Sequence, residues 1–219
     1  MMELSGVWAG FYRISLWITR LAWLNILWIA FTLLGLIFFG IMPATIAMFA
    51  VVRKWVLKEY DIPVFETFFK EYKSNFIRAN LFGLVIFIIG YVLSVFLKYT
   101  GLMNNSSLYP VLLGVFVLAA FLYVMLVLYI APVYVHYQLR FWQYVRYAVS
   151  IGAVNLHYSI CAITLLAGIY FASLKFPGIT LFFSFSVSAY VTMFIVHIGF
   201  SQLLKKQKEQ LEETTLSAS

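Results

Sequence analysis

The chain is poor in charge. Only 11% of its 219 residues are Asp, Glu, Lys or Arg, against 64% hydrophobic, and the mean hydropathy is +0.95. Soluble domains carry about 25% charged and about 45–50% apolar residues, so this composition excludes a soluble globular protein. Acids are the scarcest charge. Glu3, Glu59, Asp61, Glu66, Glu71, Glu209, Glu212 and Glu213 are the full set, and none lies in the middle of an apolar run. Proton- and cation-coupled transporters keep an ionisable group at membrane depth. Here His157 and His197 are the candidates, with His136 near one end of a run. One cysteine, Cys161, excludes an internal disulfide and a cysteine-based metal site. Three histidines without His-x-x-x-His spacing or neighbouring acids make no ligand set. There is no Walker A loop, no Gly-x-Gly-x-x-Gly and no Gly-x-Ser-x-Gly. Ser184, Ser186 and Ser188 lie two apart, which spreads them around a helix as packing and interhelical hydrogen-bonding groups. The residues therefore predict no catalytic group, no metal, no cofactor and no enzyme.

What the chain has is apolar length. About 20 residues make one membrane crossing, so 219 residues hold five or six spans and no second, soluble domain. Leu21 to Val52 is 32 residues without a charge. As one helix it would be about 48 Å long, against a hydrocarbon core of about 30 Å. Gly40 and Pro43 interrupt it, which predicts a hairpin: one helix to about Gly40, then a shorter one from Pro43 to about Lys58. Arg53, Lys54 and Lys58 can snorkel at the end of the second helix, with Trp55 at the interface. Further spans are expected at Leu81–Leu97, Val111–Ala131, Ser150–Leu174 and Ile179–Leu204, with Pro110, Pro132 and Pro177 at their edges. The fold expected is all-α, a polytopic helical bundle of six membrane helices, or five, over residues 1–204. Residues 205–219 are expected to be a polar cytoplasmic tail.

The net charge of +7 reads as topology rather than nucleic-acid binding. With six spans and both termini cytoplasmic, 13 of the 15 basic residues lie inside and only Lys98 and Lys175 outside. The five-span arrangement moves Arg13 and Arg20 outside, giving 11 to 4. The positive-inside rule favours six. Nothing near Met1 resembles a cleaved signal, because Glu3 precedes the first basic residue and the long apolar run starts only after Arg20.

Two inside segments are amphipathic. In Pro63–Arg78, Phe65, Phe68, Phe69, Tyr72 and Phe76 fall at helical spacing, with Glu66, Lys70 and Lys73 opposite. This predicts a helix lying in the membrane interface. Tyr134–Tyr147, with Trp142, Arg140 and Arg146, predicts a second. Ala44, Ala47 and Ala50 give helix 2 a smooth face, suited to packing within the monomer or to a partner's helix. His157 and His197 each lie 20 residues from the turn near Pro177. On antiparallel helices that puts both about 30 Å away, at the inner boundary. There a facing pair suits a partner or a lipid headgroup better than a proton relay.

Met42-Pro43-Ala44-Thr45-Ile46-Ala47-Met48-Phe49-Ala50-Val51-Val52-Arg53-Lys54, followed by Phe65-Glu66-Thr67-Phe68-Phe69-Lys70-Glu71-Tyr72-Lys73-Ser74-Asn75-Phe76, resembles the signature of the YesL-like membrane proteins of Gram-positive bacteria. The likeness in detail covers about residues 20–80 and brings no catalytic residue with it. It implies a plasma-membrane protein associated with carbohydrate ABC importers and polysaccharide-degrading enzymes, or with the cell envelope. The expectation is a non-enzymatic accessory protein that touches the bilayer and the membrane subunits of an oligosaccharide ABC importer. The alternatives are an independent small-solute transporter or channel and a scaffold for envelope biosynthesis. Candidate partner and lipid contacts are Ala44, Ala47, Arg53, Lys54, Phe68, Phe69, Lys70, Asn75, His157 and His197.

Overall fold

A computed structural model describes residues 6–199, and their side chains from residue 10 onward. The expected tail at 205–219 lies outside the described residues. Among those described, every regular element is helical: α1 Gly6–Leu34, α2 Ile41–Val56, α3 Val64–Leu102, α4 Tyr109–His136, α5 Phe141–Val154, α6 Leu156–Lys175 and α7 Pro177–Gly199. Five of these, α1, α3, α4, α6 and α7, are long and apolar enough to cross a membrane. This is a polytopic helical membrane fold with the smaller of the two expected numbers of spanning helices.

The first apolar run does fold as a hairpin, but the turn spans residues 35–40 and helix 1 stops at Leu34. Gly35 and Gly40 close it. A Cβ on Gly35 would overlap the Gly40 backbone, and one on Gly40 would overlap Thr32. Between them Leu36 and Ile37 sit at φ 56° and 63°, a left-handed conformation that side chains disfavour and the β-branched Ile37 resists most. At 16 residues, α2 is about 24 Å long, short of a hydrocarbon core. Lys58, at φ 69°, ends it, and the Glu59 N–H donates to the Lys54 carbonyl at 2.9 Å.

The expected interfacial helix at Pro63–Arg78 and the expected span at Leu81–Leu97 are one element. α3 runs 39 residues, about 58 Å, without a break. Arg78, Ala79 and Asn80 contain no glycine or proline, so nothing stops the backbone ladder there. The reverse happens at Ser150–Leu174. Asn155, at φ −102° and ψ 49°, ends α5, and its side-chain amide donates to the Ile151 carbonyl at 3.1 Å. The chain then restarts as α6. Pro132, expected at a helix edge, lies inside α4. In α7 the turn Thr180–Ser184 is π-helical.

The chain divides into two compact units. One groups the chain up to Phe76 with Thr164–Val191, and the other groups Ile77–Ile163 with the chain from Thr192. In the first, α1 and α2 pack antiparallel around buried Leu24, Leu27, Ala44, Ala47 and Trp55. In the second, α4 and α5 pack around buried Met125, Tyr129, Val133, Tyr144 and Ala148. Gly152 lets them approach, since a Cβ there would lie 2.9 Å from the Met125 Sδ and 3.1 Å from the Tyr129 ring.

Candidate functional site

In the first unit the strongest polar feature is Asn25. It is the only amide in an uncharged run of 32 residues and is fully buried. Its Nδ2 donates to the carbonyls of Leu181 at 2.7 Å and Thr180 at 3.4 Å. Its Oδ1 accepts from the backbone N–H of Phe185 at 3.1 Å and of Ser186 at 3.0 Å. A π-helical turn leaves backbone groups without their usual i−4 partners. One side chain from α1 therefore serves both ends of the turn in α7. Trp28 completes the clamp: its ring stacks on Phe185 at 3.9 Å, and its Nε1 donates to the Thr45 hydroxyl at 3.1 Å.

Towards the start of α1, Trp17 meets Trp55, Tyr60 and Tyr190 edge-on, with ring centroids 5.8, 5.6 and 5.3 Å apart. Arg20 lies 6.0 Å from the Tyr60 ring and 3.7 Å from the Asp61 carboxylate. That carboxylate is fully exposed, so the ion pair contributes little. Arg53 and Lys54 stand half-buried at the end of α2, beside Trp55. Ala44 and Ala47 are buried completely, so the smooth face of α2 packs inside this unit. Phe68 is also fully buried, against Phe31 at 5.2 Å, whereas Phe69 is 46% exposed and Lys70 is exposed beside it. Asn75 donates to both the backbone carbonyl and the carboxylate of Glu71, at 3.0 and 2.9 Å.

In the second unit His197 finds His136 as its ring neighbour, at 6.3 Å, while His157 lies against Tyr158 at 4.0 Å and is exposed. The facing His157–His197 pair is thus replaced by His136–His197. The cause is helical phase. Asn155, Ser159 and Ala162 are the buried residues of this region, and His157 falls about 200° around α6 from Ser159. The buried side carries its own polar knot. The hydroxyls of Tyr129 and Ser159 are 2.7 Å apart, and the Ser159 hydroxyl lies 3.0 Å from the Gly152 carbonyl. Outside the spans, burial and then the neighbouring Tyr147 push the Tyr137 hydroxyl above its ordinary pKa. Among the described residues, no three His, Cys, Asp or Glu side chains gather closely enough to share a metal ion.

Asn25, Asn155 and Ser159 were not among the expected contact residues. A lone amide in a long uncharged run was the available signal for Asn25. Chemically, Asn25 and Ser159 join helix to helix, Asn155 ends α5, and basic and aromatic side chains are left towards the surroundings, the arrangement of a multi-pass membrane protein.

Comparison with known proteins shows the family. Residues 21–96 match the model of a protein family of unknown function, DUF624. The chain is 37% identical over 196 residues to the uncharacterised protein YteU of Bacillus subtilis (strain 168), covering 90% of this chain and 87% of the relative. It is 34% identical to YesV of the same strain, covering 84% and 88%, and 32% identical to YesL, covering 96% and 99%. The chain belongs to the YesL-like family. No solved structure matches it.

Proposed function

We propose that this protein is a non-enzymatic accessory subunit of the plasma membrane that works by contact with other membrane proteins, foremost the membrane subunits of an oligosaccharide ABC importer. The observation that carries the contact reading is the use of its buried polar side chains. Asn25 of α1 donates to the backbone of α7, and the Ser159 hydroxyl of α6 meets the Gly152 carbonyl of α5 and the Tyr129 hydroxyl of α4, so their polarity joins helices. The importer itself is suggested by the family resemblance and by no residue of this chain. Purification from native membranes with the importer expressed tests it. A stable complex with importer subunits supports the reading, and recovery of the protein alone under gentle extraction counts against it.

A second reading, an independent small-solute transporter or channel, draws on the π-helical turn in α7, because such turns recur at functional sites. Solute flux into liposomes holding this chain alone would decide for it. Scaffolding of envelope biosynthesis is a third, separated from the first by which enzymes or importer subunits co-purify.

For orientation we infer cytoplasmic termini, on the 13-to-2 division of basic residues that results when the short α2 is counted as a sixth crossing beside the five long helices. Five spanning helices favour termini on opposite faces instead. A reporter fused before Met1 and active only outside the cell would establish the second arrangement.

A further inference from the structure

Helix α5 turns Tyr144, Ala148 and Gly152 inward at four-residue spacing. Its outward stripe carries Trp142, 73% exposed, then Arg146, Ser150 and Val154, all exposed. A shallow groove of about 240 Å³ follows this stripe, lined by Arg146, Tyr147, Ser150, Ile151 and Val154. Arg146 has no counter-charge among the described residues of its unit. From residue 72 to residue 208 the chain contains no Asp or Glu, so none of those residues is acidic. A guanidinium left without a carboxylate, with a hydroxyl one helical turn further on, is a match for phosphate oxygens. The tryptophan at one end and the valine at the other suit the boundary between headgroups and acyl chains.

We propose that the outward face of α5 binds the phosphate of an anionic phospholipid, with Arg146 as the charged contact and Ser150 as a hydroxyl donor. The proposal stands apart from the importer reading, because it concerns the bilayer and not a protein partner. Charge complementarity selects the occupant. A zwitterionic lipid offers the same phosphate beside a cation, which an uncompensated arginine repels, whereas an anionic one offers phosphate alone.

The test is lipid retention by the full-length protein in detergent, read by native mass spectrometry with phosphatidylglycerol or phosphatidylcholine added. Wild type is expected to hold phosphatidylglycerol in preference, and Arg146→Gln to lower its apparent affinity about fivefold, the effect of one basic residue at an anionic surface. Lys98→Gln, which removes the same charge from α3, should leave retention unchanged. If Arg146→Gln does not fold, Ser150→Ala examines the same face, with a loss of about two- to tenfold for one hydrogen bond. Equal retention of the two lipids, equal losses in Arg146→Gln and Lys98→Gln, or no loss in Arg146→Gln and Ser150→Ala overturns the proposal. So does removal of the lipid from wild type by excess inorganic phosphate, which assigns the groove to the free ion.

Discussion

The Tyr72 hydroxyl donates to the Phe31 carbonyl oxygen at 3.1 Å, which ties the first turns of α3 to the last turns of α1. That carbonyl also accepts the Gly35 N–H, at 3.1 Å, where the helix ends. The Phe31 ring meets Phe65, Phe68, Phe69 and Tyr72 together, with centroids between 5.0 and 6.3 Å. The far end of α1 and the start of α3 therefore share one level. α2 descends from that level, and the connection through Asp61, beside Arg20, brings the chain back to it. Tyr72→Phe should keep the ring contacts and lose the hydrogen bond, lowering stability by about 1 kcal/mol. Phe31→Ala should cost about 3–5 kcal/mol by emptying the ring cluster. Thermal unfolding of the two variants in one detergent checks the order, and equal losses would show that the bond rather than the packing holds α3 here.

Lys58 is the clearest place to add stability. It ends α2 in a left-handed conformation, where a Cβ costs energy and glycine does not. Lys58→Gly should stabilise by up to about 1 kcal/mol through the relieved backbone. Lys58→Ala, which removes the same charge and retains the Cβ, should give no such gain. A gain shared by both variants would point to the charge instead.

The hairpin was legible because Gly40 and Pro43 punctuate a run too long for one crossing. The exact turn was not, because Gly35 looks like any small residue until Gly40 is seen against it. The two errors of continuity have one origin. A polar stretch at Arg78–Asn80 suggested a break that hydrogen bonding within the helix does not require, and an apolar stretch around Asn155 suggested continuity that one side chain interrupts. Periodicity recognised the face of Phe65, Phe68 and Tyr72, but not which helix it would meet. The histidines show the same limit. Equal distance from a turn fixes depth along a helix and leaves phase free, and phase placed His136 beside His197.

Gly152 and Gly168 form a matched pair for testing close approach in the second unit and open space in α6. A Cβ at Gly152 meets Met125 and Tyr129 inside 3.2 Å, and one at Gly168 meets nothing within 4 Å. Gly152→Ala should destabilise by about 1–3 kcal/mol, since the Met125 Cβ as well as its flexible sulfur must move. Gly168→Ala should be neutral or stabilising by up to about 1 kcal/mol, from helix propensity. Unfolding midpoints that fall equally in both variants would mean that α4 and α5 do not pack through Gly152.

Asn25 provides the sharpest test of how the first unit is built. It makes four bonds to the backbone of α7, two as donor and two as acceptor, around the π-helical turn. Asn25→Leu keeps the same branching and number of heavy atoms and removes all four bonds. The N–H groups of Phe185 and Ser186 then lose their acceptor in a buried setting, at about 1–3 kcal/mol for an unsatisfied buried group. α7 has one way to recover them, which is to close the π turn into regular α-helix. That shifts every residue beyond Ser184 by about 100° relative to those before it, and it would separate Trp28 from Phe185 and Trp17 from Tyr190. Asn25→Asp retains the acceptor and loses the donor, so it should keep the turn at reduced stability. The measurement is cross-linking by a short bismaleimide, which reaches further than a disulfide, between cysteines placed at Trp17 and Tyr190, with Cys161 replaced. Efficient cross-linking is expected when Asn25 is retained and in Asn25→Asp, and loss of it in Asn25→Leu. Undiminished cross-linking in Asn25→Leu would show that the π turn is set by α7 itself and not by the side chain opposite.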